Sequence, residues 1–64
     1  MNMVINAKKL EIALIKKEMD FVDLMKKTNL SGTSVSRLRK GEDVRMKTVS
    51  RVVKALNIDV EDII

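Results

Sequence analysis

The sequence predicts an all-α fold, five short helices in one bundle, with room for a short strand at the N-terminus. Three observations predict it. The 64 residues hold no Pro and only two Gly, so little interrupts helix formation. Apolar residues recur at spacings of three and four along most of the chain. Side chains suited to capping stand just ahead of those runs (Asn6, Asp20, Ser31, Asp59), and residues tolerant of a left-handed backbone stand just after them (Asn29, Gly41, Asn57).

Each element follows from local chemistry. Val4 and Ile5 are β-branched and precede Asn6, which suits a short extended arm. Asn6 opens a first helix reaching about Lys17, with Ala7, Leu10, Ala13 and Leu14 facing inward and Ile12 and Ile15 on its flank. Asp20 caps the second helix, at the positive end of its dipole. Phe21, Leu24 and Met25 form its inner face, and Thr28 closes its last turn. Asn29 allows a sharp exit, Leu30 drops into the core, and Ser31 caps a third helix that Gly41 ends. Val35 and Leu38 anchor that helix, leaving Thr33, Ser34, Ser36, Arg37 and Lys40 at or near its exposed side.

The fourth helix follows a loop, Glu42 to Arg45, and no capping residue marks its start. Met46, Val49, Val52, Val53 and Leu56 repeat on one face, with Lys47, Arg51 and Lys54 outside. Asp59 and Asp62 then form a weak capping box for a fifth, very short helix. Ile58, Val60, Ile63 and Ile64 make this end apolar enough to dock. No internal repeat or linker divides the chain, so residues 1–64 read as a single domain.

Composition narrows the function. Without Cys and His, the usual zinc ligands, disulfides and the commonest general base near neutral pH are all missing. So small a domain also leaves little room for a concave substrate pocket, and neither an enzyme, a cofactor nor a small-molecule substrate is expected. The longest apolar run, Ile12 to Ile15, is far too short to span a bilayer, and the N-terminus lacks a signal peptide pattern. A cytoplasmic protein without a membrane partner is the expectation.

Charge points to a partner. The net charge is +4, but its distribution is uneven. Residues 1–25 balance four Lys against four acids; residues 26–54 hold nine basic residues against Glu42 and Asp43; residues 55–64 add Asp59, Glu61 and Asp62. The excess therefore gathers on the third and fourth helices, as suits docking on a phosphate backbone. Two short helices joined by a tight turn, the second bearing small polar and basic side chains outward, can place a readable face in a DNA major groove.

These features resemble the lambda-repressor-like, Cro-type helix-turn-helix family over nearly the whole chain, from about Val4 to Ile64. The resemblance is carried by Leu24, Leu30, Val35 and Leu38, the Ser31 cap, the run Ser34-Val35-Ser36-Arg37-Leu38, Gly41, and the tail from Val52 to Ile64. It implies a small sequence-specific DNA-binding regulator of Cro or repressor type, inserting the third helix (about 31–40) into the major groove of a double-stranded operator. Four positions depart from the family pattern. Phe21 stands where a phosphate-touching Gln is common, Met25 where a small Ala is usual, Asn29 where the turn often has Gly, and Gly32 where many relatives carry a base-reading Gln or Arg.

Under that resemblance Thr33, Ser36 and Arg37 would contact bases, Arg37 as a two-pronged donor to guanine O6 and N7. Ser31, Gly32, Lys40, Arg45 and Lys47 would hold the DNA backbone, with Lys26 and Lys27 as weaker candidates. Family members generally bind paired half-sites, so a homodimer is an open alternative. Val4, Ile5, Ile12 and Ile15 at one end, or Val60, Ile63 and Ile64 at the other, are interface candidates unless the core consumes them. A different reading keeps the bundle and makes it a protein-binding module, an antirepressor or inhibitor of another regulator; Gly32 and the acidic pair Glu42-Asp43 favour it.

Overall fold

A computed structural model describes all residues, 1–64. The order is β1 (Asn2–Met3), α1 (Ala7–Lys16), α2 (Phe21–Thr28), α3 (Gly32–Lys40), β2 (Val44–Arg45), α4 (Met46–Leu56) and a closing 3-10 turn (Val60–Asp62). Four α-helices thus replace the expected five. The last segment has only three helical residues between Asp59 and Ile63, enough for a 3-10 turn and too few for α-helical bonding to propagate. One arm of the expected Asp59–Asp62 capping box forms: the Asp62 carboxylate accepts from the Asp59 amide at 3.0 Å, while the Asp62 amide bonds to the Asp59 carbonyl.

The caps stand where side-chain chemistry places them. Asn6 accepts from the Lys9 amide at 3.0 Å, Asp20 from the Asp23 amide at 2.8 Å, and Ser31 from the Ser34 amide at 3.2 Å. Asp23 also reaches back to the Asp20 amide at 3.1 Å, completing a capping box on α2. Asn29, Gly41 and Asn57 end their helices with φ of 59°, 72° and 54°. The end of α1 is less expected. Glu18 takes φ 56° while the Met19 amide bonds back to the Leu14 carbonyl and the Glu18 amide to Ile15. This is the six-to-one and five-to-two closure that usually recruits Gly.

The N-terminal strand lies two residues earlier than the β-branched pair suggested. Asn2 and Met3 pair antiparallel with Arg45 and Val44. The pairing explains how α4 starts without a capping side chain: the Met46 amide donates to the Met1 carbonyl at 3.1 Å. Val4 is left exposed, whereas Ile5 turns into the core.

Twelve buried apolar residues form one core, drawing on every helix, the segment ahead of α1, the α2–α3 and α3–α4 connections and the C-terminal end: Ile5, Leu10, Leu14, Leu24, Leu30, Val35, Leu38, Val44, Val49, Val52, Leu56 and Ile63. α2 packs on both α3 and α4, and α1 on α3. Ile63 closes the far side, its carbonyl accepting from the Asn6 amide at 2.7 Å. Ile5 and Ile63 are therefore core residues, withdrawn from any interface, while Ile12, Ile15 and Ile64 remain exposed. No helix is long and apolar enough to cross a membrane.

Candidate nucleic-acid interface

α3 owes its orientation to two buried side chains. Val35 and Leu38 point into the core, Leu38 with no exposed surface. At 100° per residue this turns Thr33, Arg37 and Lys40 to the opposite side, and all three are exposed. Burying a leucine side chain stabilises by about 1.5–3 kcal/mol, so the exposed face is held by its anchor.

The cap continues into a small hydroxyl network. Ser31 Oγ accepts the Ser34 amide and donates to Ser34 Oγ at 3.1 Å. Ser34 is half-buried, and its hydroxyl belongs to the helix start. Gly32 is the first helical residue, and a Cβ built there would meet nothing within 4 Å. Its backbone is thus openly accessible beside the α3 N-terminus, where unpaired amides and the helix dipole favour negative charge.

Two shallow depressions flank α3. One, of about 130 Å³, is lined by Thr33, Ser34 and Arg37 from α3, Val44 and Arg45 from β2, and Thr48 from α4. It brings Thr33, Arg37 and Arg45 together. The second, of about 170 Å³, lies on the α2 side, between Phe21, Val22 and Met25 and the α3 residues Gly32, Val35, Ser36 and Arg39. Ser36 therefore faces the opposite flank from Thr33 and Arg37 and is half-buried. Lys40 and Lys47 are exposed and line neither depression.

Thr48 was not singled out by the sequence, although it lies three residues after Arg45, the spacing that puts two side chains on one face of a helix start. Arg51 is exposed, as its place outside the apolar face of the fourth helix leads one to expect. Its guanidinium Nη2 also donates at 2.6 Å to the carbonyl of Thr28, at the end of α2. No periodicity could indicate a bond that crosses 23 positions.

Known proteins place this geometry. A profile of the Cro/C1-type HTH DNA-binding domain matches residues 9–64. Among solved structures, the crystal structure of the transcriptional regulator VanUg superposes with a TM-score of 0.85 at 27% identity, covering 98% of this chain and 84% of that one. No curated protein sequence matches significantly. The profile spans α1 from its third residue, the α2–turn–α3 unit, α4 and the closing turn, and so covers every core residue but Ile5. This chain belongs to the Cro/C1-type helix-turn-helix DNA-binding domain family.

Proposed function

We propose that the protein is a sequence-specific transcriptional regulator of Cro or repressor type that seats α3 in the major groove of its operator. The observation that carries this reading is the exposure of Thr33 and Arg37 on one side of α3, opposite buried Val35 and Leu38, with Arg45 beside them. Arg37 reads guanine through paired hydrogen bonds, Thr33 meets a thymine methyl or donates a hydrogen bond, and Ser36 supplies a short contact from the other flank. Lys40, Arg45, Lys47 and the backbone at Ser31 and Gly32 hold phosphates. That VanUg is a transcriptional regulator supports the same role.

The molecule measures 29 × 23 × 19 Å. Successive groove faces on one side of B-DNA lie about 34 Å apart, so one copy reaches a single half-site. Two copies fill a two-fold operator, and exposed Val4, Ile12, Ile15 and Ile64 are the interface candidates that the core leaves for their contact.

Selection of preferred duplexes from a random pool, followed by titration across salt concentrations, tests the proposal. A regulator enriches one sequence and loses affinity for it with a steep salt slope. A protein-binding module of the same fold enriches none, and that outcome overturns the reading in favour of an inhibitor of another regulator.

A further inference from the structure

We propose that Arg51 is a positioning residue for sequence reading: it fixes the α2–α3 turn against α4 and so sets the register between the base-reading and phosphate-holding side chains. The inference rests on the DNA-binding reading above. Its ground is the bonding around Thr28, which is buried. The Thr28 hydroxyl donates to the Leu24 carbonyl at 2.6 Å and accepts from the Leu30 amide at 3.4 Å, joining the end of α2 to the residue that plugs the turn. The Thr28 carbonyl, one of the last four of α2 and so without an intrahelical donor, accepts Arg51 Nη2 at 2.6 Å. Ser31, three residues on from Thr28, caps α3.

The consequence follows from where α4 leads. Arg45 and Thr48, at its start, line the depression that holds Thr33 and Arg37. Arg51 lies one turn beyond Thr48 on the same helix. A single charge-assisted hydrogen bond thus ties the element carrying Arg45 and Lys47 to the turn that launches α3. Without it, α4 and the α2–α3 pair keep their apolar contacts but lose the one directional contact that fixes their offset along the shared surface.

A phosphate site at this place is the competing explanation. Lys27, Arg51 and Lys54 do surround a depression of about 250 Å³. It opens, however, at the carbonyl end of α2, where the helix dipole draws cations and repels anions. The basic side chains there match the helix terminus, and Arg51 has already committed a donor to it.

The test compares wild type with Arg51→Met, Arg51→Lys and, as a neighbouring control, Lys54→Met. Each binds the wild type's selected duplex and a random-sequence duplex at several salt concentrations, at a temperature where circular dichroism shows it folded. The expected result for Arg51→Met is a fall of about tenfold in the ratio of selected to random affinity, the scale of one hydrogen bond from a charged donor, with the salt slope unchanged. Arg51→Lys recovers part of that ratio and Lys54→Met leaves it intact. A fall in salt slope of about one, with both duplexes weakened alike, makes Arg51 a phosphate contact and overturns the inference. Unchanged affinities with a lowered melting temperature leave it a stabilising residue only, which also overturns it. Should Arg51→Met fail to fold, the same ratio read on Arg51→Lys decides: a ratio equal to wild type rejects the positioning role. If wild type itself prefers no duplex, the DNA-binding reading fails first, and the two failures are told apart.

Discussion

Asn2 lies directly opposite Arg45 in the antiparallel β1–β2 pair. The first residues of the chain thereby hold the backbone of a residue that stands beside Thr33 and Arg37. They also cap α4, through the bond from the Met46 amide to Met1. Removing residues 1–3 is therefore expected to free Arg45 and fray the start of α4. Affinity should drop by about fivefold to tenfold for selected and random duplexes alike, as for loss of a backbone contact. Gel-shift titration of the shortened chain on both duplexes measures it; an unaltered affinity contradicts the role given to Arg45.

Arg37 and Lys47 should behave differently. Arg37→Ala is expected to cost about 1–3 kcal/mol against the selected duplex and to relax preference at one base position. Lys47→Ala should weaken every sequence equally and lower the salt slope by about one. Repeating the pool selection with each variant distinguishes the two; identical effects would sink the assignment.

Two backbone positions invite stabilisation by opposite substitutions. Gly32 is helical and a Cβ there meets open space, so Gly32→Ala should add about 0.5 kcal/mol by restricting the unfolded chain. Glu18 holds a left-handed backbone at φ 56°, and Glu18→Gly should relieve about 0.5–1 kcal/mol. Thermal melting reads both, at roughly 4–8 °C per kcal/mol for a domain of this size.

Acid should loosen α2. The hydrogen bond from the Asp23 amide holds the Asp20 carboxyl below its ordinary range. A carboxyl depressed in the folded state stabilises fully above its unfolded value, and that contribution fades as pH falls through the folded one. Asp20→Asn keeps a capping oxygen and removes the titration, so its melting temperature should decline less steeply below pH 4 than that of wild type. Parallel pH–melting curves for the two proteins would refute this origin of the acid sensitivity.

Much of this architecture was readable in the residues because its causes are local. Asn6, Asp20, Ser31, Asn29, Gly41 and Asn57 each act within a few positions of themselves, and all mark helix ends as expected. Most of what escaped was carried by the distant chain. β1 formed at Asn2–Met3 because its partner strand, Val44–Arg45, fixes the register, and Ile5 was then free to enter the core. Glu18 gave no hint of a left-handed turn, since bonds to Leu14 and Ile15 impose it on a residue with no such preference. Within the candidate site, helical periodicity groups Thr33, Ser36 and Arg37 on the exposed side of α3; the fold keeps Thr33 and Arg37 together but turns Ser36 to the other flank, toward Phe21 and Met25 across the α2–α3 groove. Thr48 and Arg51 became visible only once α4 was laid against its neighbours.

The bond from Asn6 to Ile63 has an effect on how the molecule opens. It joins the entrance of the first helix to the closing turn, and Lys9 repeats the link through its ammonium to the Ile64 carbonyl at 3.0 Å. Neither extremity can peel away alone without breaking these bonds and exposing Ile5 or Ile63. Deuterium should therefore reach the Asn6 amide only when the entire domain melts, making that one proton a gauge of global stability in a chain whose tips would otherwise be the first parts to exchange.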